Sequence, residues 1–60
     1  MTNLERLRRE AQMSQEQLSE KSGVSRGVIV RIERGGIGTV QCRMIFMLAA
    51  ALSVEPQELF

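Results

Sequence analysis

Ser14-Gln15-Glu16-Gln17-Leu18-Ser19-Glu20-Lys21-Ser22-Gly23-Val24-Ser25-Arg26-Gly27-Val28-Ile29-Val30-Arg31-Ile32-Glu33-Arg34-Gly35 is the stretch from which the fold is read. It predicts two short helices with a tight turn between them. Ser14 is an N-cap residue, and Gln17 three positions on can reach back to its backbone N–H, which makes a capping box. Leu18 is the apolar anchor of the first helix, and Ser19 beside it is small enough for another helix to cross closely. Gly23 supplies the positive φ with which a chain leaves a helix abruptly, and Val24 just after it reads as buried. Ser25 caps a second helix, in which Ile29 and Ile32 share one face, and Gly35 with Gly36 stops it. Two helices joined by so short a glycine-containing turn form a helix-turn-helix unit, whose second helix can enter a DNA major groove.

Counted from Gln15 as the first position, Ser19 is fifth, Gly23 ninth, Ile29 fifteenth and Ile32 eighteenth. Small, glycine, aliphatic and aliphatic at those steps resembles the helix-turn-helix of the lambda-repressor-like (Cro-type, XRE) family. Ser-Gln-Glu-Gln-Leu at 14–18, Gly-Val-Ser-Arg at 23–26 and Arg-Ile-Glu-Arg-Gly at 31–35 are similar to that family's wording, and the resemblance runs from Leu4 to Phe60. It implies an all-α fold, a compact four-to-five-helix bundle filling residues 1–60 as one domain, with double-stranded DNA as partner. It also implies a structural pair between Arg8 and Glu33, and a phosphate contact from Gln15. The segment after Gly35 would run along the DNA backbone, which makes Gly36 and Thr39 expected backbone contacts; Ser25 and Arg34 are expected beside them and Gln15.

Outward from the unit, helix one is predicted over about Asn3–Ala11, with Leu4, Leu7 and Ala11 at helical spacing and Thr2 or Asn3 as cap. Glu5, Arg6, Arg9 and Glu10 fill its other faces. Gln12 stands where the resemblance implies glycine; a residue with a Cβ resists the left-handed conformation, so this end is expected to close differently. Met13 then fits as a core plug, and helix two spans roughly Gln15–Lys21.

Helix three, about Arg26–Arg34, presents Arg26, Gly27, Val30, Arg31 and Arg34 outward, with Val28 on the flank. Such places are mostly polar in the family, and glycine and valine also lower helix propensity. Hydrogen-bond readout is therefore thin. Arg26 and Arg31 can make bidentate contacts to guanine, Val30 can touch a thymine methyl, and Gly27 offers only close backbone approach. These four are the expected base readers. The competing reading packs the apolar ones against another protein.

Gly35-Gly36-Ile37-Gly38-Thr39-Val40 is flexible by composition and lacks the Walker lysine, which argues against nucleotide binding. Helix four, about Gln41–Leu52, is apolar nearly all round and should be buried nearly all round. Ile45, Leu48, Ala49 and Leu52 make one stripe; Val40, Met44, Met47 and Ala51 make a second, which is assigned to a homodimer interface. The alternative is a monomer in which the second stripe packs under the glycine loop and the last helix. Pro56 suits the first turn of that closing helix, and Leu59 and Phe60 are expected to fold back onto the core.

Composition narrows the function. Sixty residues with 43% apolar and 25% charged side chains make one small globular domain. Zero histidines and one cysteine leave no metal cluster and no internal disulfide. Cys42, without a base partner, reads as a small buried thiol. No catalytic residue, cofactor or small-molecule ligand is indicated. No run is long enough for a membrane helix and no signal peptide is evident, so a cytoplasmic protein is expected. The net charge is only +1, but Arg26, Arg31, Arg34 and Arg43 lie between Ser25 and Arg43 against Glu33 alone. A locally basic segment fits a nucleic-acid face. The leading expectation is a sequence-specific transcriptional regulator, a repressor that occupies a palindromic operator as a dimer. The alternative is a protein-interaction module on the same fold, such as an antitoxin or anti-repressor.

Overall fold

In the computed structural model, which describes residues 3–60, the chain forms α1 (Asn3–Glu10), α2 (Gln15–Ser22), α3 (Arg26–Glu33) and α4 (Cys42–Leu52). Single 3-10 turns occupy Ile37–Thr39 and Pro56–Leu59, and no strand occurs among the described residues. The expected fifth helix is thus the 3-10 turn at the C-terminus. The loop read as flexible from its glycines holds the other 3-10 turn, closed by Thr39, whose N–H and hydroxyl both donate to the Gly36 carbonyl at 3.1 and 2.8 Å.

Local chemistry starts each helix. At α2 the Ser14 hydroxyl accepts from the Gln17 N–H at 3.0 Å, and the Gln17 side chain accepts from the Ser14 N–H at 2.8 Å. At α3 the Ser25 hydroxyl accepts from the Val28 N–H at 3.4 Å. The turn between them is tied by side chains as well: Ser19 Oγ donates to the Val24 carbonyl at 2.7 Å, and the Val24 N–H donates to Ser22 Oγ at 3.1 Å. Asn3 is the first residue of α1, and its amide donates to the Phe60 carbonyl. The other expected cap, Thr2, lies outside the described residues.

Helix ends share one device, a residue at positive φ whose neighbours satisfy the last carbonyls. Gly23 (φ 79) ends α2, its N–H donating to the Ser19 carbonyl, and its missing Cβ leaves room for Met47 Cε. The end of α1 was expected to close differently, yet it uses the same device with Gln12 at φ 59. There the Gln12 and Met13 N–H groups donate to the Arg9 and Arg8 carbonyls at 2.9 and 3.1 Å. The two hydrogen bonds outweigh the Cβ penalty. Ser53 (φ 57) closes α4 in the same way. Gln12 is exposed, so Gln12→Gly is expected to stabilise the domain by about 0.5–1 kcal/mol, relief of strain less the added freedom of the unfolded chain. Urea unfolding checks it; a loss of stability would show that the left-handed glutamine is not strained.

The core is made by Leu4, Leu18, Ile29, Ile32 and Leu48, each fully buried, with Val24, Ile45, Ala49, Ala51 and Leu59 around them. Each of α1 to α4 thus contributes a large side chain to one centre, and burying each contributes about 1.5–3 kcal/mol. Pairings follow from this: α1 lies on α3 and the C-terminal turn, α2 on α3 and α4, and the C-terminal turn on α4.

Several apolar residues are placed otherwise than their spacing suggests. Ala11 follows the last turn of α1 and is exposed, whereas Leu4 and Leu7 are buried. Leu59 folds into the core, but Phe60 beyond it is 67% exposed. Ala51 is buried in the chain's own core, and Val40, Met44 and Met47 are half-buried against it. Of the second stripe of α4, Ala51 is thus taken up wholly within the chain and the other three only in part. Nor is α4 buried all round: Cys42, Arg43, Phe46 and Ala50 are exposed, Phe46 to 61%. Cys42 is thus a surface thiol in the first turn of α4, not a buried one.

Candidate nucleic-acid interface

The face of α3 away from Ile29 and Ile32 carries Arg26, Gly27, Arg31 and, just past the helix, Arg34, all exposed. Val30 is half-buried and stands on that side, whereas Val28 packs against the core. Both valines are thus partly accessible, Val28 from the flank. Arg43, at the start of α4, is exposed as well.

Glu33, the acid among these arginines, is turned inward. Arg8 Nε donates to Glu33 Oε2 at 2.7 Å and Arg8 Nη2 to Glu33 Oε1 at 3.2 Å, a planar fork on a carboxylate. Arg8 Nη1 donates to the Met13 carbonyl at 2.8 Å. The side chains are 10% and 6% exposed, and hydrogen bonding to Glu33 holds the Arg8 guanidinium above its ordinary pKa against the opposing effect of burial. On α1, Arg6 and Arg9 meet Glu10 and Glu5 at 3.1 Å each. Folding therefore balances the charge of α1 and concentrates positive charge on α3 and its flanks.

Gln15 joins the same network: its Nε2 donates to Glu33 Oε1 at 3.1 Å. The amide keeps its second N–H and its oxygen. It lies in a groove of about 310 Å³ with Arg8, Ser14, Glu16 and Arg26, so the starts of α2 and α3 line one recess. Spacing alone gave no sign of the Gln15–Glu33 bond, which joins residues on two helices.

Two of the expected backbone contacts have their polar groups engaged inside the fold. The Gly36 N–H donates to the Arg31 carbonyl at 2.9 Å, and both donors of Thr39 go to the Gly36 carbonyl. The amides of Ile37 and Gly38 precede the first hydrogen bond of the 3-10 turn and have no backbone partner. Ser25 uses its hydroxyl oxygen as acceptor for the cap, which leaves the O–H proton to donate outward.

Among the described residues no group of histidine, cysteine and acidic side chains is placed to hold a metal ion, and no helix is long and apolar enough to cross a membrane. Comparison with curated proteins and with solved structures gives no match. The family model described as Helix-turn-helix, the XRE type, matches residues 4–59. That span takes in the capped α2–turn–α3 unit, the packed α4 and the C-terminal turn, so the chain belongs to the lambda-repressor-like, XRE-type helix-turn-helix family of DNA-binding regulators.

Proposed function

We propose that the protein is a cytoplasmic transcriptional repressor that binds a palindromic operator, with residues 26–34 in the major groove. The observation that carries this reading is the charge arrangement at α3: Arg26, Arg31 and Arg34 exposed, and Glu33 held inside by Arg8. Arg26 and Arg31 read bases, with Val30 against a thymine methyl and Gly27 allowing close approach. Gln15, Ser25, Arg34 and the amides of Ile37 and Gly38 hold the sugar-phosphate backbone. One such helix carries too few hydrogen-bonding readers for useful specificity. Two copies on half-sites about one turn apart, roughly 34 Å, supply it.

The test is selection of duplexes from a random pool, followed by a salt titration on the selected site. Affinity is expected to fall steeply with salt, and Arg34→Ala to lower the log–log slope by about one unit while weakening all sequences alike. An unchanged slope would remove Arg34 from the phosphate contacts. The antitoxin or anti-repressor alternative draws support from Val30 and the exposed Phe46. It predicts no sequence emerging from the selection and no steep salt dependence.

A further inference from the structure

Gly36, like Gly27 and Gly38, is a glycine at ordinary φ, but of these three it alone has a neighbour where a Cβ would stand. Its φ of −90° and ψ of 26° are open to any L-residue, unlike those of Gly23 and Gly35 at φ 79 and 101°. What a side chain would meet there is Arg31. A Cβ at position 36 would lie 2.8 Å from Arg31 Cγ, 3.1 Å from the Arg31 carbonyl oxygen and 3.5 Å from Arg31 Cδ. The Gly36 N–H bonds to that same carbonyl at 2.9 Å, so the loop cannot swing aside to relieve the contact without losing the bond. Arg31 also lines a groove of about 190 Å³ between α3 and the 3-10 turn, together with Val28, Thr39 and Val40.

Resting on the DNA-binding reading above, we propose that Gly36 is a specificity-determining position: lacking a side chain, it lets the Arg31 stem lie flat against the loop and fixes where the guanidinium meets the base pairs. An arginine free in solution samples many rotamers, and ordering it on binding costs affinity. A stem already seated on Gly36 has fewer of them left to lose. Gly36 touches no base itself; it acts through Arg31 as a positioning residue. A methyl group at 36 pushes Cγ off the loop, moves the guanidinium, and blurs readout at the base pair Arg31 faces.

Wild type, Gly36→Ala, Arg31→Ala and the double variant are compared on the duplex selected against wild type and on a scrambled duplex of the same composition. Gly36→Ala is expected to lower the ratio of the two affinities about tenfold, the scale of one good base contact, and to lower it no further once Arg31 is alanine. An equal loss in both backgrounds, or an unchanged ratio in the wild-type background, overturns the proposal. A wild type without sequence preference overturns the DNA-binding reading itself, and is recognised in the first arm before any variant is measured. Thermal unfolding tests the contact without DNA. The fall in midpoint caused by Gly36→Ala is expected to be largely removed by Arg31→Ala; an equal fall in both backgrounds overturns the contact.

Discussion

Glu33→Ala is expected to destabilise the domain by about 3–5 kcal/mol, because it strands the Arg8 guanidinium at a site where its side chain is 10% exposed. Arg8 would keep only the Met13 carbonyl, and Gln15 would lose its acceptor. At roughly 0.05–0.15 kcal/mol per residue, a chain of this length has about 3–9 kcal/mol in all. The variant should therefore lose about a third of its stability or more, seen as a urea midpoint shifted well below that of the wild type. The cost belongs to the stranded charge more than to the worth of the pair. Replacing both members with apolar residues, Arg8→Met with Glu33→Leu, is accordingly expected to recover most of the stability. That double variant would also test the charge arrangement at α3, since it removes one buried cation and one buried anion and leaves the exposed arginines untouched. A loss below about 1 kcal/mol for Glu33→Ala would show that solvent reaches the pair and screens it.

Phe46→Glu is expected to leave the fold intact and to lower affinity for a palindromic site by about 5–150-fold, the scale of a coupling free energy between two bound copies. Phe46 is 61% exposed, so the substitution opens no cavity. Its neighbours on the exposed arc of α4, Cys42 and Ala50, are small, which would let a second copy approach closely. Met44→Glu and Met47→Glu are poorer tests, because both methionines pack on the chain's own core and a charge there would disturb the fold. A standard interface takes about 800 Å² from each partner, a large share of a chain whose whole accessible surface is 3815 Å². The arc around Phe46 is small beside that. The proposed dimer is consequently expected to be weak in solution and completed on the operator. Sedimentation and band-shift stoichiometry would show one copy free and two on the palindrome. If Phe46→Glu bound the palindrome with wild-type affinity and stoichiometry, α4 would not be the contact.

The α2–turn–α3 unit was legible because its signals are local: Ser14 and Gln17 are three apart, Gly23 carries its own conformational preference, and Ile29 and Ile32 share a helical face. Where the reading failed, the deciding fact lay between elements. In α4 nearly every residue is apolar, so periodicity could not say which arc faces out. Arg43, the single charged residue of that helix, marks the exposed arc with Phe46 and Ala50, and weighing it would have kept Ala51 for the core. Composition also does not show where a backbone N–H is already bonded, as those of Gly36 and Thr39 are. Gln12 was misjudged for a similar reason: the carbonyls of Arg8 and Arg9 needed donors, and that need outweighed the residue's own preference.

A regulator of this size changes its target by substitution along α3, a helix that already contains Gly27, Val28 and Val30, residues of low helix propensity. Every new reader placed there draws on a small reserve. Gln12 and Ser53, both outside α3, hold left-handed conformations that cost about 1 kcal/mol each. A typical destabilising substitution costs about the same. Glycine at those two helix ends would therefore give a lineage, or a designer, room for roughly one or two costly changes of reader before the domain ceased to fold. The capacity to acquire a new operator is in this sense stored at two helix ends that make no proposed contact with DNA.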